Sequence, residues 1–348
     1  MPDHRPGPGG RHPVEVGGHV EQLDHGPGVV LAELARPDPQ VAVGERQPAV
    51  AVDVDAPDTS DAPGQDDHDL AEPVPIGPEG DAHGERLADL LADVDVLVKV
   101  LGDVEAVRLT PDGEERLVPG RQKALEAMTY LALREVPVDR EDLEIVLFPT
   151  GANATKTFHN TVAAARRTLG DDLFPAPAGG RYELAEGVVT DYGLFHELVA
   201  SAEEIEDAER AADVLSEALT LVGGEPFVGA GRNYAWVSPH RGMIVAQVVD
   251  VAEEVAEIRL ATGDWRAAEW AARQGLRAFP CDERMYRLLM RAAHAAGNIP
   301  GVQRVFRELC DTVADPDDGT EPDDTIHPET LELLEALTGG HGRSQVSA

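Results

Sequence analysis

Cysteine is almost missing from this chain: of 348 residues only Cys281 and Cys310 carry a thiol. They are too far apart for a CxxC site and too few for a disulfide framework, which leaves a reducing, cytoplasmic setting as the expectation. Basic residues are also scarce, 29 Lys plus Arg against 65 Asp plus Glu, for a formal charge of −36. Such a chain does not coat nucleic acid by bulk charge. No run of about 18 apolar residues is present, so no membrane-spanning helix is expected. The opening MPDHRPGPGG has no apolar core of the kind a secretory signal needs. The twelve histidines are scattered, with no HExxH and no zinc-finger spacing to cysteine. Walker A, GxGxxG and GxSxG patterns are missing as well. Together these absences argue against an enzyme, and no cofactor or metal is expected.

What is present changes character near residue 84. Residues 1–83 hold 13 of the 26 prolines and no Lys, Phe, Tyr or Trp, and their 4 Arg stand against 17 acids. Valines fall between Pro, Gly and Asp and never build a sustained period. Such a segment buries too little apolar surface to offset its ordering entropy, so residues 1–93 read as a disordered acidic Pro/Gly-rich arm. The same composition also resembles translation of a GC-rich stretch outside the true frame, with the real start near Val94.

Folded sequence is expected from Val94. Val96, Val98 and Val100 alternate with Leu97, Lys99 and Leu101, a strand pattern. Residues 104–109 and 115–118 read as two more strands around the turn Pro111-Asp112-Gly113, making a small antiparallel sheet. Residues 120–135 switch to helical period, with Ala124, Leu125, Met128, Leu131 and Ala132 on one face. A short second helix opens at Val138–Leu143 with Asp139 as its N-cap and ends near Phe148-Pro149. After a loop with Gly151, a third helix runs from about Asn153 to Leu169, stopped by Gly170. Gly179-Gly180, Arg181–Leu184 and Val188-Val189 read as a closing hairpin. Sheet, three helices and hairpin predict a winged helix-turn-helix over residues 94–193.

Beyond Asp191 the pattern is helical, with amphipathic segments at 191–204, 206–222, 238–262, 264–278, 281–296, 299–314 and 328–338. Gly263-Asp264-Trp265 recurs as Gly297-Asn298-Ile299, an offset of 34 residues, and Ala268 and Ala272 map onto Val302 and Phe306. That period, with Gly after one helix and Pro280 after the next, is the tetratricopeptide signature, a stack of helix pairs over one core. The predicted fold class is therefore mostly α with a small β part. A disordered arm precedes a winged helix-turn-helix, and a tetratricopeptide-like helical repeat domain follows over 194–340, with a disordered tail at 341–348. Segments 223–237 and 315–324 interrupt the repeat and are expected to be exposed.

Several ordered stretches carry a resemblance. They are Val98-Lys99-Val100-Leu101-Gly102, Tyr130-Leu131-Ala132-Leu133, Phe148-Pro149, Asn160-Thr161-Val162 running into Arg166-Arg167-Thr168-Leu169-Gly170, Arg181-Tyr182-Glu183-Leu184, and Asp191-Tyr192-Gly193-Leu194-Phe195. The second half adds Gly224-Glu225-Pro226-Phe227, Tyr234-Ala235-Trp236, Trp270–Leu276, Leu289–Ala292 and His327-Pro328-Glu329-Thr330. In this order and spacing the chain resembles the actinobacterial antibiotic-regulatory-protein family, whose second half is called the bacterial transcriptional activator domain. It is most similar to the C-terminal part of a subgroup that also bears LysM or transmembrane segments. The resemblance implies sequence-specific binding of double-stranded DNA, recruitment of RNA polymerase and no catalysis. Its usual direct-repeat sites imply a homodimer on DNA.

The third helix is the candidate recognition helix. Phe158, Val162, Ala165 and Leu169 face the core, which leaves Lys156, Asn160, Ala163, Ala164 and Arg167 outward, flanked by Thr155, His159 and Arg166. No acid occurs from Asn153 to Gly170, so the helix is locally basic in an acidic protein. Asn reads adenine, and Arg reads guanine or clamps a phosphate. Arg181, at the hairpin tip, is placed to reach a phosphate or the minor groove. The predicted DNA-binding set is thus Thr155, Lys156, His159, Asn160, Ala163, Arg166, Arg167 and Arg181. Against it, Asp171 and Asp172 can pair with the two arginines, Ala163 and Ala164 offer little readout, and residues 94–193 carry 11 bases against 17 acids. Two functions fit these features: a DNA-binding transcriptional regulator, and a protein-interaction scaffold whose winged helix no longer binds DNA.

Overall fold

The structure, a computed structural model, describes residues 84–134, 136–149, 154–230, 234, 236–314 and 326–339, with the backbone alone at 154 and 155. The arm over 1–83, the loop at Gly151, the acidic loop 315–324 and the tail 341–348 lie outside the described residues. Eleven helices and six short strands make up the rest, the mostly α fold with a small β part that was expected.

The last part of the expected arm is not arm. Glu85–Leu91 forms helix α1, whose Leu87, Leu90 and Leu91 pack on Leu97, Val107 and Leu194. The Leu87 N–H donates to Glu217 Oε2 at 2.8 Å, which supplies one of the acceptors a helix N-terminus lacks. Two helical turns are too short to show a period, so only the tertiary contact reveals them.

Strands β1 (Val96–Lys99), β2 (Glu105–Thr110) and β3 (Gly113–Leu117) form the expected antiparallel meander. Alternation sends Val96 and Val98 into the main core and Leu97 to the α1 side. Helices α2 (Gln122–Ala132), α3 (Arg140–Leu147) and α4 (Ala154–Leu169) follow. Between the first two lies a strand of two residues, β4 (Val138–Asp139), so Asp139 ends a strand as well as preceding α3, and its side chain makes no cap bond.

The closing hairpin is the main correction. Strand β5 (Arg181–Tyr182) does not pair with β6 (Val188–Thr190): β5 pairs antiparallel with β4, and β6 lies parallel to β1 at the sheet edge. Gly179 and Gly180, both with positive φ, turn the chain back toward β4. There Tyr182 is buried edge-on to Phe158 and Phe174. Val188 and Thr190 are buried beside Val96 and Val98. A period of two shows that a segment is a strand but not which edge it joins.

The seven later helices match the seven amphipathic segments: α5 (Asp191–Glu203), α6 (Ala208–Thr220), α7 (Ser238–Thr262), α8 (Trp265–Ala278), α9 (Glu283–Ala295), α10 (Ile299–Val313) and α11 (Pro328–Thr338). The 34-residue repeat is visible atom by atom. Gly263 and Gly297 both take positive φ. Asp264 and Asn298 each cap the next helix, accepting from Ala267 N at 3.1 Å and Gly301 N at 2.9 Å. Ala268, Ala272, Val302 and Phe306 are all buried in the core.

Sheet and helices are joined by a seam. Past β1, residues 100–104 run alongside 223–228. Gly223 N and Gly224 N donate to Leu101 O, Phe227 N to Val100 O, Val228 N to Gly102 O, and Val104 N to Val228 O. The tight glycine of this crossing is Gly102, because a Cβ on Gly223 or Gly224 would meet its nearest neighbour only at 3.4 or 3.9 Å. A Cβ on Gly102 would meet the Gly223 and Gly224 backbones at 3.1–3.2 Å. Gly102→Ala is therefore expected to cost about 1–3 kcal/mol, read as a fall in the denaturant midpoint, whereas Gly120→Ala, in open space, should leave it unchanged. On the far side of the seam, Trp236 meets Tyr130 edge-on at 5.1 Å and stacks on Tyr234 at 5.8 Å. The tryptophans serve packing: Trp236, Trp265 and Trp270 all lean on the main core.

Candidate nucleic-acid interface

Helix α4 owes its position to its inner face. Phe158, Val162, Ala165 and Leu169 are buried as the spacing predicted, joined by Thr161 and by Ala164, which is 4% exposed. The assignment of Ala164 to the outer face is thus corrected. Ala164 lies one step along the helix from Ala165, at the edge of a buried stripe wider than four residues.

The outer face keeps Lys156, His159, Asn160, Ala163 and Arg167, all exposed. Lys156, Asn160, Ala163 and Arg167 form one stripe about 16 Å long at 1.5 Å per residue, short enough to lie in a major groove. The Thr155 side chain lies outside the described residues. Arg167 is partly committed, since its Nε donates to Ala163 O at 3.1 Å, but its guanidinium stays at the surface. Arg181 is exposed, in the strand beside Asp139.

Arg166 leaves the set. Its Nε donates to Phe174 O at 3.0 Å and its Nη2 to Asp171 Oδ1 at 2.6 Å, so it holds the turn that follows α4. Sequence spacing placed it on the flank of the reading face, but the turn supplied two acceptors that no helical period shows.

The structure adds a cation that sequence reading missed. Arg140, the first residue of α3, places its guanidinium 5.6 Å from the Phe158 ring centroid and its Nη2 3.4 Å from His159 Nε2. Its backbone N–H donates to Gly180 O at 3.2 Å, which ties the start of α3 to the turn before Arg181. In sequence Arg140 stands among Asp139, Glu141, Asp142 and Glu144 and looks like part of a solvated acidic helix start. Only the fold brings it onto α4.

The cationic surface is therefore Arg140, Lys156, Arg167 and Arg181 with the polar His159 and Asn160. Acids border it: Glu144 sits 3.7 Å from Arg140, and Glu183 is exposed next to the β5 strand. Among the described residues no group of three or more His, Cys, Asp or Glu is arranged to hold a metal ion. Nor, among them, is any helix long and apolar enough to cross a membrane.

Residues 190–329 match the sequence pattern of the bacterial transcriptional activator domain, so the helical half carries the domain that the resemblance implied. One solved structure similar to this chain is Mycobacterium tuberculosis EmbR in complex with a low-affinity phosphopeptide. It is 23% identical with a TM-score of 0.48, covering 70% of this chain, and the chain spans 65% of the length of that protein. No curated protein matches the sequence.

Proposed function

We propose that this chain, with a bacterial transcriptional activator domain at residues 190–329, is a transcriptional regulator that places α4 in the major groove of double-stranded DNA. The observation that carries the proposal is the outer face of α4. It is free of acids and exposed from Lys156 to Arg167, in a protein whose formal charge is −36. In this reading residues 94–193 are the winged DNA-binding unit. Lys156 and Arg167 hold phosphates at the two ends of the stripe, Asn160 and His159 face base edges between them, and Arg181 reaches the flanking backbone. The helical repeats then serve dimerisation or contact with RNA polymerase.

The test is fluorescence anisotropy of the full chain on duplex DNA from upstream of its own gene, across a salt series. Binding should be tighter than to scrambled duplex and fall steeply with salt. Lys156→Ala/Arg167→Ala should lower the log–log salt slope by about 1.8, or 0.9 per phosphate contact. Arg166 is left intact because its loss would disturb the turn it holds. Equal binding by the double variant would remove α4 from the interface.

The scaffold alternative has its own support. Residues 94–193 carry 17 acids against 11 bases, and Arg166 and Arg140 already face carboxylates. No preference for any duplex at low salt would favour it.

A further inference from the structure

The contact between Arg140 and His159 decides a proton position. A guanidinium donates and never accepts, so the 3.4 Å approach of Arg140 Nη2 to His159 Nε2 requires a lone pair on Nε2. The neutral imidazole must then carry its proton on Nδ1. His159 is exposed on the outer face of α4, and nothing else among the described residues hydrogen-bonds its ring. Arg140 is itself held: its backbone is bonded to Gly180, its guanidinium lies near the Phe158 ring, and Glu144 stands 3.7 Å away. The imidazole is also fixed edge-on to Phe158 at 5.8 Å.

Resting on the DNA-binding reading above, we propose that Arg140 is a positioning residue for base recognition. By occupying Nε2 it makes His159 present a single donor, Nδ1–H, to the major groove. A lone donor suits acceptor edges, guanine N7 and O6, adenine N7 or thymine O4, and opposes the N4 amino group of cytosine. A freely rotating histidine offers a donor or an acceptor and discriminates poorly. The acidic start of α3 thereby acquires a part in specificity without touching a base.

Two measurements on the full chain test this. The first is the nitrogen-15 spectrum of histidine-labelled protein at pH 8, above the ordinary histidine range, with the His159 signals identified by their loss in His159→Ala. The wild type should show Nδ1 protonated. Arg140→Met, which keeps the side-chain stem over Phe158 but has no donor, should shift His159 toward protonation on Nε2, and Arg140→Lys should restore the wild-type pattern in part. The second is selection from a duplex pool with 20 randomised base pairs. The wild type should enrich a motif with one position depleted of cytosine, and both Arg140→Met and His159→Ala should lose that depletion while keeping the rest of the motif. Protonation of Nε2 in the wild type, or unchanged cytosine depletion in Arg140→Met, overturns the proposal. If the tautomer is as expected but the wild type enriches no motif, the DNA-binding reading itself fails and the base-recognition role goes with it.

Discussion

Replacing Asp191 by alanine should unfold the protein at markedly lower denaturant, a loss of about 3–5 kcal/mol. The carboxylate is 3% exposed at the first residue of α5 and serves two elements at once. Oδ1 accepts from Val100 N and from its own neighbour Tyr192 N, both at 2.8 Å, and Oδ2 accepts from Leu101 N at 3.0 Å. The N–H groups of Val100 and Leu101 lie just past β1, where the chain leaves the sheet for the seam, and α5 begins the helical half. Truncation leaves three buried donors without acceptors, each costing about 1–3 kcal/mol. Asp191→Asn keeps one acceptor oxygen and turns an amide donor toward the remaining N–H groups, so it should also destabilise, but less than alanine. Chemical denaturation of the two variants against wild type checks this; an alanine variant within 1 kcal/mol of wild type would show that the seam holds without Asp191.

Glu126→Gln should act in the opposite direction, and only above acid pH. Glu126 sits on α2 at 1% exposure, facing Trp236 and Tyr234 across the seam. Lys123, one turn earlier at 2.6 Å, is its charged partner, and the Trp236 indole and the Tyr234 ring are its neighbours on the other side. Burial outweighs the pull of Lys123 and pushes the carboxyl up to about 7 from an ordinary 4.5. A group whose folded pKa is raised contributes its full stability below the unfolded value and loses it as pH rises through the folded one. The wild type should therefore weaken between about pH 4.5 and 7 relative to the Gln variant. The gap should approach zero at pH 4 and grow to about 3 kcal/mol by pH 8. Midpoints measured for both proteins across that range give the answer. A constant offset at every pH would mean that Glu126 is charged throughout and held by Lys123.

Much of the architecture could be read without coordinates because it rests on local rules. Every amphipathic segment after Asp191 became a helix, since a 3.6-residue period needs only some apolar partner to face, whichever it is. The 34-residue echo was legible because Gly with positive φ and Asp or Asn at the helix cap are requirements of the backbone itself, met again in Asp264 and Asn298. In the same way, the burial of Phe158, Val162, Ala165 and Leu169 and the exposure of Lys156, His159, Asn160 and Arg167 followed from counting around one helix, which misplaced only the edge residue Ala164.

What sequence could not decide was partnership across distance. The pattern at 188–190 marked a strand, but whether it pairs with β5 or with the edge at β1 depends on where Gly179 and Gly180 send the chain. Arg166 looked outward until the turn at 171–174 supplied its acceptors, and Arg140 looked solvated until α3 was laid against α4. Helix α1 was hidden because seven residues carry too little periodicity to be distinguished from the arm. By itself, then, the sequence determined the element types, the helical repeat, the buried side of α4 and the acidic setting around a basic helix, since each depends on neighbours a few residues apart. Tertiary structure alone decided the strand order, the seam centred on Asp191 and Gly102, and which cations are left free for a ligand. Those outcomes turn on hydrogen-bond and charge partners from remote parts of the chain, and only the packed core brings such groups within reach.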